Sequence, residues 1–182
     1  MKRLHILAPT LLLSLCAGPG AFAQGITASG TLVGTPDATP GLYDYTLTLK
    51  DTGSTTVGSL WYAWVPGTFY LPHTPNSVSP AANWNDSIVG FGNGSSIQFT
   101  AGSAANDLTP GQSVSFGFVS QDSPATLQGN FNGGPTGTSV AYANNSLGGS
   151  SFTFVVQSVP EPSTWLLMAG GGLGWLGLRR KR

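Results

Sequence analysis

Tyr43-Asp44-Tyr45-Thr46-Leu47-Thr48-Leu49-Lys50 alternates apolar and polar side chains along its whole length. Successive side chains of a strand point to opposite faces, so this period of two puts Tyr43, Tyr45, Leu47 and Leu49 on one buried face. Asp44, Thr46, Thr48 and Lys50 then face water. The same period recurs downstream. Val114, Phe116 and Phe118 alternate with Ser113, Ser115 and Gly117, and Phe152, Phe154 and Val156 repeat it later. Leu60, Tyr62 and Trp64 alternate with Trp61, Ala63 and Val65, which sends aromatics to both faces. Fainter strands are expected at 26–33, 97–100 and 138–142.

Turn chemistry separates these runs: Asp51-Thr52-Gly53-Ser54, Pro66-Gly67, Gly92-Asn93-Gly94 and Pro110-Gly111. Roughly seven short antiparallel strands with such turns predict an all-β fold, a single immunoglobulin-like antiparallel β-sandwich. The proline-rich stretch from Leu71 to Asp86 and the segment from Asn130 to Gly137 read as loops. The sandwich is expected to span 24–158, which holds 16 aromatic residues and is long enough for a real core.

Both flanks read differently. Lys2 and Arg3, the mostly apolar run from Leu4 to Leu15, and Ala21-Phe22-Ala23 have the parts of a secretory signal peptide over 1–23, expected as an N-terminal helix flanking the sandwich. Cleavage between Ala23 and Gln24 by the Sec-type export route is expected. The single cysteine, Cys16, leaves with that segment, and Leu15 before it argues against lipidation. The exported domain then offers no disulfide and no thiol chemistry. Between Gln24 and Ser158 only Lys50 opposes Asp37, Asp44, Asp51, Asp86, Asp107 and Asp122, a net charge of −5. Nucleic-acid binding, which needs several phosphate contacts from Lys or Arg, is excluded on that balance.

Residues 159–182 read VPEPSTWLLMAGGGLGWLGLRRKR. A stiff Pro160-Glu161-Pro162 triplet precedes an apolar run from Trp165 to Leu178, closed by Arg179, Arg180, Lys181 and Arg182. As a helix the run would be roughly 21 Å long, short against a hydrocarbon core of about 30 Å. Five glycines weaken it further. The basic cluster fixes orientation by the positive-inside bias. A short C-terminal apolar helix of this kind suits a temporary anchor, with a stable membrane anchor as the competing reading. Gly172-x-Gly174-x-x-Gly177 follows no strand and opens no βαβ unit, so it carries no dinucleotide site. Gly170 and Gly174 also have helix-pairing spacing, close to chance in so glycine-rich a run.

Val159-Pro160-Glu161-Pro162-Ser163-Thr164-Trp165, the glycine-rich run and the basic end together resemble the PEP-CTERM sorting signal. That resemblance implies an exported protein of an exopolysaccharide-making Gram-negative bacterium. It implies passage through an inner-membrane intermediate and handling by exosortase, a membrane-embedded cysteine-dependent transpeptidase that removes the tail. The protein would then reside at the cell surface or in the extracellular biofilm matrix. A second resemblance runs through Thr48 to Ser54, Trp61, Trp84-Asn85 and Leu108-Thr109-Pro110-Gly111 to Phe118. Their order is similar to that in bacterial cellulose-binding sandwich modules, without the disulfide that often joins the ends of those modules.

Sites for chemistry are sparse. His73 is the one histidine between Gln24 and Ser158, in a proline-flanked loop, and reads as a solvated residue. Glutamate is absent from the same span, and Asp44 and Asp51 read as solubilising residues. Asp86, Asp107 and Asp122 are expected near turns, where Asp bonds local backbone. No enzymatic activity, cofactor or metal is expected. Trp61 and Trp64, three apart, are expected on opposite faces of a strand. Trp61, Trp84 and Tyr70 are the candidate glycan contacts, for stacking on a neutral exopolysaccharide.

Overall fold

The computed structural model describes residues 28–143 and 151–159. The expected signal-peptide helix, the C-terminal apolar helix and the decoy glycine motifs lie outside those residues. β1 (Ala28–Pro36), β2 (Tyr43–Asp51) and β3 (Ser59–Tyr62) are followed by a small hairpin, β4 (Trp64–Val65) with β5 (Thr68–Phe69). β6 (Ser77–Ser79), β7 (Trp84–Phe91), β8 (Gly94–Ala101) and β9 (Ser113–Ser120) come next. A one-turn helix α1 (Pro124–Gln128) precedes the β10 (Asn130–Phe131) and β11 (Gly134–Pro135) hairpin. β12 (Thr138–Tyr142), β13 (Ser151–Thr153) and β14 (Val155–Ser158) are the last of the described elements. The protein is all-β, as the alternation predicts.

Two five-stranded sheets hold the core. One runs β14-β1-β2-β9-β6 and the other β13-β12-β3-β8-β7. Every pairing in them is antiparallel except β1 with β14. Tyr45, Leu47 and Leu49 are buried while Asp44, Thr46 and Lys50 are exposed. Their partners on β9 share that face, with Phe116 and Phe118 buried and Val114 half-buried. Rings from the two sheets meet across the middle. Phe99 stacks on Phe116 at 4.1 Å, Trp84 meets Phe116 edge-on at 5.2 Å, and Tyr62 lies 5.5 Å from Phe118. Each such side chain contributes about 1.5–3 kcal/mol by leaving water.

Three sequence expectations change. First, both stretches read as loops carry strands: Leu71 to Asp86 contains β6 and the start of β7, which begins at Trp84, and Asn130 to Gly137 holds the β10–β11 hairpin. β7 is an edge strand, so its inward row needs little apolar character. Asp86 pairs with Phe99 on that row yet is exposed, a charge that discourages further strand pairing. Second, Phe152, Phe154 and Val156 do not share a strand. β13 pairs with β12 in one sheet, β14 pairs with β1 in the other, and buried Phe154 sits at the crossing. Third, Asp51 is no solubilising residue. It ends β2 fully buried, and its Oδ1 accepts from the Gly53 N–H at 2.8 Å.

Gly30 and Gly34 on β1 are sockets. A Cβ at Gly30 would stand 2.0 Å from the Phe154 ring, and one at Gly34 would stand 2.5 Å from the Tyr45 ring. The inward row of β1 therefore reads Gly30, Leu32, Gly34, with aromatic neighbours filling the places of the missing side chains. Phe154 in turn lies edge-on to Tyr62 at 5.3 Å.

Candidate functional site

The C-terminal junction is built from β1 outward. Val155 to Ser158 pair in parallel with Thr31 to Gly34, and the Val159 N–H donates to the Gly34 carbonyl at 3.1 Å. Val159 is the last described residue and is 47% exposed. Pro160, Glu161, Pro162 and Arg179 to Arg182 lie outside the described residues, as do Ala21, Ala23 and Gln24 at the other end. The sheet thus ends one residue before the Pro-Glu-Pro triplet.

The second candidate region is the outer face of the β13-β12-β3-β8-β7 sheet. Trp61 lies between inward Leu60 and Tyr62 and points outward. Its cross-strand partners are Val140 and Gln98, and Gln98 pairs onward with Ser87. Trp61 and Trp64 do not face apart as a regular strand requires. Ala63 between them has φ of 56°, in the left-handed region. That kink breaks the alternation and brings the two indoles together, with ring centroids 4.5 Å apart. Both remain half-buried. Gln98 lies opposite Trp61 and Thr100 diagonally from it on β8, with Asn85 and Ser87 one strand further out on β7 in the same outward rows.

Trp84 is not part of that face. It is 7% exposed and packs into the core on Phe116, because it occupies an inward position of β7 opposite Ala101. As a glycan contact it is therefore corrected to a core residue. Tyr70 is half-buried against the β10–β11 hairpin, where a Cβ at Gly134 would stand 2.8 Å from its ring. Trp64 is the member of the aromatic patch that sequence spacing missed.

The third arrangement joins distant segments. His73 is 55% exposed, as a loop residue should be, but buried Asp122 holds it twice. Its Nδ1 lies 2.6 Å from Asp122 Oδ1, and its backbone N–H donates to Oδ2 at 3.2 Å. Ser95 Oγ donates to the His73 carbonyl at 3.0 Å, and the Tyr45 hydroxyl donates to the Asp122 carbonyl at 2.5 Å. Asp122 is thus a buried clasp between the proline-rich loop and the end of β9. Burial first, and the nearby Asp122 charge second, push the Tyr45 hydroxyl's pKa well above the ordinary tyrosine value. Among the described residues no group of three or more metal-binding side chains is present, and no helix is long and apolar enough to cross a membrane.

Residues 158–182 match the family model described as the PEP-CTERM protein-sorting motif. The chain carries a PEP-CTERM sorting motif. The motif begins at Ser158, the last residue of β14, so sheet and signal abut. A PEP-CTERM motif implies an exosortase-targeted protein exported through a membrane intermediate to the cell surface. No curated protein matches the chain in sequence.

Among solved structures, the chain is similar to an exo-β-N-acetylglucosaminidase from Vibrio harveyi, at 11% identity and a TM-score of 0.44. That match covers 74% of this chain and 19% of the enzyme, so the chain spans about a fifth of that protein's length. It is similar to the chitin-binding domain of Chi18aC from Streptomyces coelicolor at 26% identity and a TM-score of 0.34, covering 51% of this chain and 78% of that one. A biomass-sensing module of Clostridium thermocellum, described as resembling a family 3 carbohydrate-binding module, matches at 10% identity and a TM-score of 0.38, over 72% of this chain and 89% of that one. At these scores none of the likenesses carries an argument about this chain's fold or ligand.

Proposed function

We propose that this is a non-enzymatic surface or extracellular-matrix protein, delivered as a membrane-tethered precursor and released or transferred when an exosortase-type transpeptidase removes its tail. The observation that carries this reading is the PEP-CTERM motif over 158–182, ordered as rigid triplet, short apolar run and basic stop. The acidic domain left behind, with its single lysine, suits a passive matrix component better than a polyanion binder. We propose an immunoglobulin-like sandwich as its finer architecture, supported by the two facing sheets. The test is pulse-chase in the native host with Pro160, Glu161 and Pro162 each replaced by Ala. Processing should fail in the variant, and unchanged processing would overturn the role given to the triplet.

A second reading is favoured by one specific observation: the outward Trp61, with Trp64 against it on a face lined by amides and hydroxyls. Such a surface suits stacking on a neutral sugar with polar groups to hold its hydroxyls. Binding to the host's neutral exopolysaccharide should weaken at least tenfold in Trp61→Ala while Trp84→Ala only destabilises the fold. Undiminished binding in Trp61→Ala, or none in the wild type, would reject this second reading.

A further inference from the structure

The fold leaves no linker between its last strand and the sorting motif. Ser158 is paired to Gly34, Val159 is hydrogen-bonded to Gly34, and Pro160 follows directly. An enzyme that cuts in or beside the triplet must hold extended backbone on both sides of the bond it breaks. On the upstream side that backbone is Ser158 and Val159: the Val159 N–H already donates to Gly34 of β1, and Ser158 is held in register with the same residue. Six residue steps separate Val159 from Trp165, the first residue of the apolar run. Fully extended they reach about 20 Å, so a membrane-seated tail keeps the β1–β14 edge close to the bilayer.

We propose that β14 is a releasable strand, and that the processing enzyme and β1 compete for the same backbone from Val155 to Val159. Tail removal then passes through a state in which β14 has left the sheet, pivoting at Phe154. This rests on the reading of the tail as a processed signal. The distribution of burial fits it. β14 is an edge strand with a sheet partner on one side only, and the one-turn helix α1 lies beside it. Val155 is 60% exposed, Gln157 and Ser158 are exposed, and Val156 is only half-buried. Immediately before them Phe154 is 2% exposed, seated over Gly30 and edge-on to Tyr62. Little apolar surface is lost when β14 lifts, whereas lifting Phe154 opens the core. Segments with few buried contacts are the ones that open locally without global unfolding.

The test is a reversible lock. Val33 and Gln157 are register partners on β1 and β14, and removal of the signal peptide with Cys16 leaves no other cysteine. Neighbouring strands bring paired Cα atoms within disulfide range. In the native host, the full-length Val33→Cys/Gln157→Cys chain is followed by pulse-chase and C-terminal mass. Val33→Cys alone serves as control. The locked chain should lose its tail at least tenfold more slowly than wild type. Reductant should restore the rate, and so should a six-residue Gly/Ser insert between Val159 and Pro160. Wild-type processing of the locked chain would overturn the proposal, as would slowing that neither reductant nor the insert relieves. If the wild-type tail is never removed, the processing reading itself falls, and that arm reports it separately.

Discussion

Replacing Gly30 by Ala adds one methyl group where no space exists. The new Cβ would lie 2.0, 2.3 and 2.5 Å from three ring carbons of Phe154, against an ordinary carbon–carbon contact of about 3.5–4.0 Å. Either the ring leaves or β1 moves. Moving β1 disturbs a register of nine paired residues with β2, so ejecting the ring costs less. Ejection forfeits the burial of a residue now 2% exposed, comparable to a Phe→Ala truncation of about 3–5 kcal/mol. Urea denaturation of the domain followed by tryptophan fluorescence measures it. The cycle with Phe154→Ala isolates the cause, because truncating the ring empties the socket. In that background Gly30→Ala should cost less than about 1 kcal/mol, since Ala otherwise suits a strand better than Gly. A coupling energy of about 3 kcal/mol is expected. A Gly30→Ala chain within 1 kcal/mol of wild type, or two variants that simply add, would refute the socket.

Further outcomes follow from the buried polar groups. The Tyr62 hydroxyl is fully buried without a hydrogen-bond partner, so Tyr62→Phe should leave stability unchanged or raise it by about 1 kcal/mol in urea melts. Burial, chiefly, pushes the Tyr62 pKa well above the ordinary tyrosine value. With the folded value raised, its contribution is intact below about pH 10 and falls by roughly 1.4 kcal/mol per pH unit above it. Urea midpoints taken between pH 9 and 11 should therefore decline less steeply in Tyr62→Phe than in wild type. Asp122→Ala strips both contacts from His73 and should cost about 2–3 kcal/mol, while His73→Ala, which leaves the backbone N–H in place, should cost about half as much. Thermal melts of the two variants check the order, and a reversed order would refute the clasp.

Strands with strict alternation were legible because burial on one face writes itself into every second residue. The runs at 43–50 and 113–118 and the weaker one at 138–142 all became strands. β7 was not legible because an edge strand faces its partner sheet only in part, and Trp-Asn-Asp-Ser carries no apolar period. The meeting of Trp61 and Trp64 depends on one left-handed residue, and Ala63 gives no local signal for that conformation. Phe152 to Val156 keep the period of two while changing sheets at Phe154, so the pattern was real and its single-strand reading was not. The Asp122–His73 clasp joins residues 49 apart, which no short-range pattern encodes. The tail's stiffness, apolarity and charge were readable because they are local, while its reading as a sorting motif came from the family resemblance that the match over 158–182 bears out.

The most direct test of the account is the intact mass of the protein recovered from the native host's surface or medium. A mature chain that begins near Gln24 and lacks Arg179 to Arg182, with those residues retained when the Pro160-Glu161-Pro162 triplet is replaced by alanines, is the predicted result. A wild-type chain that still carries Arg182 and fractionates with the inner membrane would contradict it, and would make the tail an anchor.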